Sequence, residues 1–532
     1  MTGRSPFFVI ILVLALCAMA IMNIATPSGA GLANDSAAYI AGARSILQGK
    51  GYSDIWLDSE LEAITHYPPL LSLTLAAIGL LKIDPLRGVR ILNILLFGAN
   101  TALLGLLGWR ATRSQAAGIW LAAIFMLNIS LLRVHVFALS EPLYLFLSLL
   151  SFILIDLYLD NTVNNPPEST PKRGKQKMVW VALAGVISSL AFLTRYSALA
   201  LLPTSVVALV LLQNNWPARL KSTSLYLAAA FPLMSAWFLR NKLSAGNVTN
   251  RSFQFHPITA ENIQPVLPNF AQFLLPMESW QAALIKSGWL PGLLVVVGVL
   301  LFAWLALRTW QVIMRPQKQA IQPISFTTTL YIFGYLGAVL FSMSFFDAST
   351  KFQPRILAPI YVSLMLLSAI AGAWLFQQGS GKPWPQKLTF SLALVALAFS
   401  AYSSQQGLSN FTQAGQGYAS WKWHDSLLMT TLRNLPSETI IYTNTPPAVY
   451  LVTGRASRIL PSAIDPVDNL PRGQYQQDLT LMHNDLLSGR AVLALFDTSS
   501  LEDALSIQDS ANFVNGLEIL QKTQGDILYG KP

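Results

Sequence analysis

The chain has one cysteine in 532 residues, Cys17. No disulfide can form within it, so every part of the molecule must be held by packing alone. Charge is scarce as well, with Asp, Glu, Lys and Arg making up 11% of the residues. A Walker loop, a glycine-rich dinucleotide fingerprint after a strand, a CxxC pair and an HExxH helix are all missing, which leaves ATP-driven transport and zinc hydrolysis without support. A secondary transporter should show internal repeats with paired broken helices, and no repeat is evident. The net charge of +10 is scattered over loops, a pattern that suits anionic lipid surfaces and lipid phosphates better than nucleic acid.

What abounds is apolar: 53% of the residues are hydrophobic and the mean hydropathy is +0.47. A span of the hydrocarbon core needs about 20 such residues. About eleven runs qualify, near 7–26, 89–109, 116–132, 142–159, 178–194, 197–212, 223–239, 289–307, 326–345, 356–376 and 388–404. Pro68 to Ile83 is shorter, opens with Pro68-Pro69 and ends with Lys82, so it reads as an interfacial helix that does not cross. The first run has a longer apolar core than a signal peptide and reads as a retained helix.

With a cytoplasmic N-terminus and a non-crossing Pro68 segment, the inside loops hold Arg110 and Arg113, the Lys172 to Lys177 cluster, Arg219 and Lys221, Arg308, Arg315 and Lys318, and Lys382 and Lys387. Every inside loop is then basic, as orientation requires. The stretch Asn161 to Lys177, Pro-rich and charged, reads as a flexible cytoplasmic linker. After Ser404 the composition turns: residues 405–532 carry 12 acidic and 8 basic side chains, a net −4, leaving residues 1–404 at +14. The expected plan is an α-helical polytopic membrane domain over 1–404, with a first extracytoplasmic loop at 27–88, and a soluble extracytoplasmic α/β domain over 405–532. Within that tail, Thr439 to Tyr442 and Ala491 to Phe496 read as buried strands, and Asp425 to Leu435 and Leu479 to Leu487 as helices.

Two acids stand at the mouths of membrane helices: Asp35 in Asn34-Asp35-Ser36 after the first span, and Glu141 in Ser140-Glu141-Pro142 before the fourth. Ionisable groups so close to hydrocarbon are costly, which makes function the default hypothesis. The bland alternative is capping, since both triplets suit helix starts. After Asp35, the apolar positions from Ala37 to Leu47 describe an amphipathic helix lying on the membrane and ended by Gly49 and Gly51.

The ordered set of Asp35, Tyr39, His66-Tyr67-Pro68-Pro69-Leu70, Glu141, Phe192-Leu193-Thr194-Arg195-Tyr196 and Phe352-Gln353-Pro354-Arg355 resembles the GT-C membrane glycosyltransferases, nearest in pattern to the protein O-mannosyltransferases and the lipid A aminoarabinose transferase family. The resemblance covers roughly residues 1–375. It implies a polyprenyl-phosphate-linked sugar donor, a lipid, glycan or protein acceptor entering from the extracytoplasmic face, and inversion at the sugar carbon. Asp35 would match the aspartate that activates the acceptor, Glu141 the second acid, and Arg195 and Arg355 the cations around the lipid phosphate, with Tyr39, His66 and Tyr67 alongside. The family's frequent Asp-Glu pair is Asp35-Ser36 here, which weakens a claim for a divalent metal, and its Lys beside the interfacial Pro is replaced by His66-Tyr67.

Glycosyl transfer from phosphate needs a base for the acceptor hydroxyl and positive charge where the phosphate departs. Carboxylates and arginines supply both. Arg195 and Arg355 could instead snorkel or pair with an acid such as Asp347, and Lys351 and Arg251 are weaker cation candidates. His66 could be an interfacial residue, and His135 with Arg133 ordinary helix-end polarity. Trp421-Lys422-Trp423-His424 fits an interfacial aromatic belt better than a sugar platform. The sequons at Asn34, Asn247 and Asn410 inform only if the source glycosylates. The reading is a multi-pass cell-membrane glycosyltransferase of the hexosyl or pentosyl type; rivals are an oligosaccharide ligase or polymerase using a diphosphate-linked glycan, a transporter, and a non-catalytic scaffold.

Overall fold

The structure, a computed structural model, describes residues 5–58, 61–163, 171–213, 215–249, 251, 253–314, 322–378, 383–465, 470–497, 515–523 and 525–531. Helices dominate the first three quarters of the chain. In order they are α1 (Ser5–Ala25), α2 (Asn34–Leu47), α3 (Leu70–Gly79), α4 (Pro85–Thr112), α5 (Gln115–Leu127), α6 (Ile129–Val136), α7 (Glu141–Val163), α8 (Pro171–Phe192), α9 (Leu201–Leu211), which follows a 3₁₀ turn at Tyr196–Ala200, and α10 (Trp216–Ala245). Three short helices, α11 (Ala260–Ile263), α12 (Val266–Leu274) and α13 (Glu278–Lys286), lead to α14 (Trp289–Met314), α15 (Pro323–Phe345), α16 (Pro354–Gln378) and α17 (Pro383–Ala414). Among the described residues eight helices are long and apolar enough to cross a membrane, and α5 with α6 forms a bent apolar pair, turned by 59°, with the geometry of a broken span or a re-entrant loop. This is a multi-span membrane protein.

All eleven apolar runs lie in helices, but not all as straight spans. The third run breaks at Asn128, whose extended backbone stops α5 while its Oδ1 accepts from Leu131 N at 3.1 Å and starts α6. The fifth and sixth fall in helices whose apolar parts, Met178–Phe192 and Tyr196–Leu211, are shorter than a full span. Helix α3 has ten residues, about 15 Å of rise, too short to cross. The expected flexible linker is helical at both ends, to Val163 and from Pro171, and its middle, 164–170, lies outside the described residues, as do Arg315, Lys318 and Lys382 of the inside loops.

Two further expectations are corrected. Helix α2 does not lie open on a membrane surface: Ser36 to Ala43 are all buried, because α3, α4 and the C-terminal domain cover it. Helix α17 runs ten residues past Ser404 to Ala414, since Gly407 meets Ile129 and Phe411 is buried under Arg133, so packing continues where composition changes.

The remaining residues form a small α/β domain with α18 (Trp421–His424), α19 (Leu427–Asn434), α20 (Pro446–Thr453) and α21 (Tyr475–Leu487) around five strands, β1 (Ile440–Thr443), β2 (Arg458–Ile459), β3 (Ala491–Leu495), β4 (Glu518–Lys522) and β5 (Ile527–Gly530). The strand order is β2-β1-β3-β5-β4, parallel across the first three and antiparallel beyond. Alternation divides β1 and β3 between two cores: Ile441, Val492 and Ala494 face α19 and α20, while Tyr442, Leu493 and Leu495 face α21. Covered on both faces, these strands are continuously apolar, as parallel strands are. Trp423 belongs to the first core, 5.3 Å from Phe496, and not to an aromatic belt.

Candidate active site

Four helix ends deliver the charged residues. Asp35 is the second residue of α2, whose N-cap position is Ala33. The cap bond is made by Ser36, whose Oγ accepts from Ala33 N at 2.9 Å. The Asp35 carboxylate is therefore free of helix capping. It forms an ion pair with Arg355 and accepts from the Tyr67 hydroxyl at 3.1 Å.

Glu141 opens α7 with its side chain 2% exposed, ion-paired to Arg195. Ser140 does not spend its hydroxyl on the helix either; it accepts from Tyr39 at 3.2 Å and from Arg195 at 3.4 Å. The turn before Glu141 is set from α4, where Asn93 donates to the carbonyls of His135 and Phe137, each at 2.8 Å, and Asn100 donates to Pro142 O at 3.1 Å. Asn100 also lies 3.0 Å from His135 Nε2, while Nδ1 meets Leu131 O at 2.8 Å. His135 is thus a satisfied buried histidine. Gly31, four residues before Asp35, bridges to Phe137, so the two acidic segments share a backbone ladder.

Arg195 follows α8 in extended backbone (φ −153°, ψ 135°), which turns the guanidinium away from the helix and toward Glu141. Leu193 O accepts from Leu70 N at 2.8 Å, tying this corner to the start of α3. Arg355 sits in the first turn of α16 behind Pro354, and its Nε donates to Gln353 Oε1 at 3.2 Å. Beneath these pairs lie Tyr144, Tyr331 and Tyr335, with Tyr335 donating to Ile356 O at 2.9 Å.

The structure brings Asp35, Glu141, Arg195, Arg355, Tyr39 and Tyr67 into one cluster. Burial raises the Asp35 carboxyl, but Arg355 foremost, then Tyr67 and Arg195, hold it below its ordinary value. Burial and the charge of Asp35 push Tyr67 well up, so it stays a hydroxyl donor. The side chains of Asp35, Arg355 and Arg195 keep 25%, 30% and 20% of their surface exposed, so the cluster is open to a ligand.

His66 stands at the edge. Its Nε2 accepts from Arg251 at 2.9 Å, and burial with the Arg251 charge pushes it down to about 4, so the ring is neutral near pH 7. Arg251 in turn pairs with Asp347 at 3.0 Å, and Lys351 with Glu261 at 3.0 Å. Asp347 is therefore not the partner of Arg195 or Arg355. Among the described residues no three His, Cys, Asp or Glu side chains gather as a metal site. Sequence reading missed Asn93 and Asn100; two amides a week of residues apart within one apolar helix were the available signal.

Residues 66–240 match the family model of the dolichyl-phosphate-mannose-protein mannosyltransferases. In backbone the chain is similar to ArnT from Cupriavidus metallidurans bound to undecaprenyl phosphate, with 13% identity, a TM-score of 0.52 and coverage of 97% of both chains. It is similar to the archaeal oligosaccharyltransferase AglB from Archaeoglobus fulgidus in complex with an inhibitory peptide and a dolichol-phosphate, with 13% identity, a TM-score of 0.50 and coverage of 85% of this chain and 64% of that one. Arabinofuranosyltransferase AftD from Mycobacteria gives 13% identity and a TM-score of 0.55 over 98% of this chain and 41% of that one. No curated protein matches the sequence. At these identities the likeness is one of fold, and the fold is that of the GT-C membrane glycosyltransferases.

Proposed function

We propose that this protein transfers a sugar from a polyprenyl-phosphate donor to an acceptor on the extracytoplasmic face, with inversion at the sugar carbon. The observation that carries this reading is the convergence of Asp35–Arg355 and Glu141–Arg195 at one end of the helical bundle. The matched mannosyltransferase family and the undecaprenyl phosphate and dolichol-phosphate seen in ArnT and AglB support the donor class. Asp35 acts as the base that draws the proton from the acceptor hydroxyl as that oxygen attacks the sugar carbon and the bond to phosphate breaks. Arg355 and Arg195 take the departing phosphate. Arg355 reaches Asp35 through Nη1 and Gln353 through Nε, which leaves Nη2 for a phosphate oxygen. As the phosphate draws on the guanidinium, its hold on Asp35 weakens and the carboxylate becomes more basic.

Glu141, almost wholly buried, holds the Arg195 guanidinium in place. Tyr67 and Tyr39 orient Asp35 and Ser140 through their hydroxyls. The orientation that puts this end outside the cytoplasm rests on the basic inside loops, and the exposed Trp216, Trp310, Trp374 and Trp384 lie at the opposite, basic-loop ends of their helices, where an aromatic belt fits. The test is transfer by purified protein offered a radiolabelled polyprenyl-phosphate sugar or a nucleotide sugar. The reading expects product from the lipid-linked donor only, and use of the nucleotide sugar alone would refute it.

A further inference from the structure

The residues ahead of Asp35 are gripped from two sides, and one of them is the C-terminal domain. Leu32 N donates to Gln416 O at 3.2 Å and Tyr418 N donates to Leu32 O at 2.9 Å, while on the other side Gly31 N donates to Val136 O at 2.9 Å and Ala138 N to Gly31 O at 2.8 Å. Two glycines allow this approach. A Cβ on Gly417, which sits at φ +57°, would stand 2.0 Å from Leu32 O, and one on Gly31 would stand 2.9 Å from Gln416 Cβ.

The Tyr418 hydroxyl donates to Asn34 Oδ1, one residue before Asp35. Its ring meets Trp423 edge-on at 5.0 Å, and Trp423 lies 5.3 Å from Phe496 just beyond β3, so packed rings run from the sheet core to Asn34. The far end of α2 is held as well. Arg44 lies 5.6 Å over the Tyr450 ring of α20 and pairs with Asp84 at 2.9 Å. The loop beyond is tied by Arg458 to Asp58 at 3.1 Å.

We propose that the connector 415–420 is a positioning element of the active site: Gly417 and Tyr418 fix Leu32 and Asn34 and thereby set where Asp35 stands against Arg355. The Ser36 hydroxyl caps α2 from within, and the ladder through Leu32 fixes the chain just ahead of that cap. The C-terminal domain then acts on turnover without contributing an atom to the reaction. The proposal rests on the reading of Asp35 as the base.

The experiment uses full-length protein with Tyr418→Phe, Gly417→Ala and Asn34→Ala, read by kcat and KM for transfer from a polyprenyl-phosphate sugar and by hydrogen exchange of the 33–37 amides. A misplaced base costs turnover more than binding. Gly417→Ala should lower kcat by roughly tenfold or more and Tyr418→Phe by about threefold, with donor KM within about twofold of wild type. Exchange at 33–37 should rise in both, and Asn34→Ala should add nothing to Tyr418→Phe. Wild-type kcat in both Tyr418→Phe and Gly417→Ala would overturn the proposal while leaving the transferase reading intact. A lowered kcat with unchanged exchange at 33–37 would overturn it too, by removing the clamp as the cause. No transfer by the wild-type protein would remove the reading of Asp35 as base, and the positioning claim with it.

Discussion

Asp35 and Arg355 lie 320 positions apart in sequence and meet as an ion pair with a neutral tyrosine on the second carboxylate oxygen. A charge-assisted contact to a desolvated phosphate is worth about 2 to 5 kcal/mol when its partner is lost. Arg355→Ala should therefore weaken binding of a polyprenyl-phosphate sugar by more than roughly tenfold. Arg355→Lys keeps the charge but not the fork, and should fall between the two in an equilibrium binding assay. Equal affinities for the three proteins would make Arg355 structural.

The same pair predicts a pH profile. The Asp35 carboxyl is held below its ordinary value chiefly against burial by Arg355, so the base form, and any folding stability its ionisation contributes, is present above the unfolded value of about 3.9 and is lost only as pH falls through the lower folded one. The acid limb of kcat/KM should lie below the usual carboxylate range. Removing the guanidinium leaves burial less opposed, so in Arg355→Ala the limb should move to higher pH. An acid limb that stays fixed between the two proteins would show that Asp35 is not the titrating base. His66, pushed down to about 4, should give no step near the ordinary imidazole value of about 6.5.

At the scale of elements, the site depends on a broken helix. Asn128 turns the chain by 59° between α5 and α6, and Asn93 and Asn100 then hold the segment that hands Glu141 to Arg195. Asn93→Ala leaves the buried His135 carbonyl and the part-buried Phe137 carbonyl without this donor, at about 1 to 3 kcal/mol for the buried one. It should lower the thermal unfolding midpoint of the detergent-solubilised protein and depress transfer, whereas unchanged stability would mean that other donors replace it. This break was not legible in sequence. Residues 116–132 read as one apolar run because hydropathy does not register a cap that competes with the helix from inside it. Helix α2 was legible as a helix, yet not as a buried one, because the elements that cover it come from residues 70–112 and from beyond 440.

For the whole molecule, the apolar runs were readable because spans need length and hydrophobicity, local properties of the sequence. The acids at 35 and 141 and the arginines at 195 and 355 stood out because charge beside hydrocarbon is costly. Which acid meets which arginine was not readable, since that is decided by how α7, α8 and α16 pack around α2. The topology makes its own prediction. In a Cys17→Ser background, Ser437→Cys should react with an impermeant thiol reagent added to intact cells, and Lys221→Cys should react only after lysis, since both positions are exposed and the proposed orientation puts them on opposite sides. Labelling of both from outside would break the orientation.

The central claim is that the Asp35 carboxylate accepts the proton of the acceptor. Its most direct test is single-turnover sugar transfer by purified Asp35→Asn protein saturated with a polyprenyl-phosphate sugar and acceptor, alongside a measurement of donor affinity. The amide keeps the shape and leaves the helix start unchanged, because Ser36 and not Asp35 supplies the cap bond. The account predicts a folded protein that still binds donor and whose transfer rate falls by about 100-fold or more, the scale of a lost general base. A transfer rate equal to wild type would contradict it.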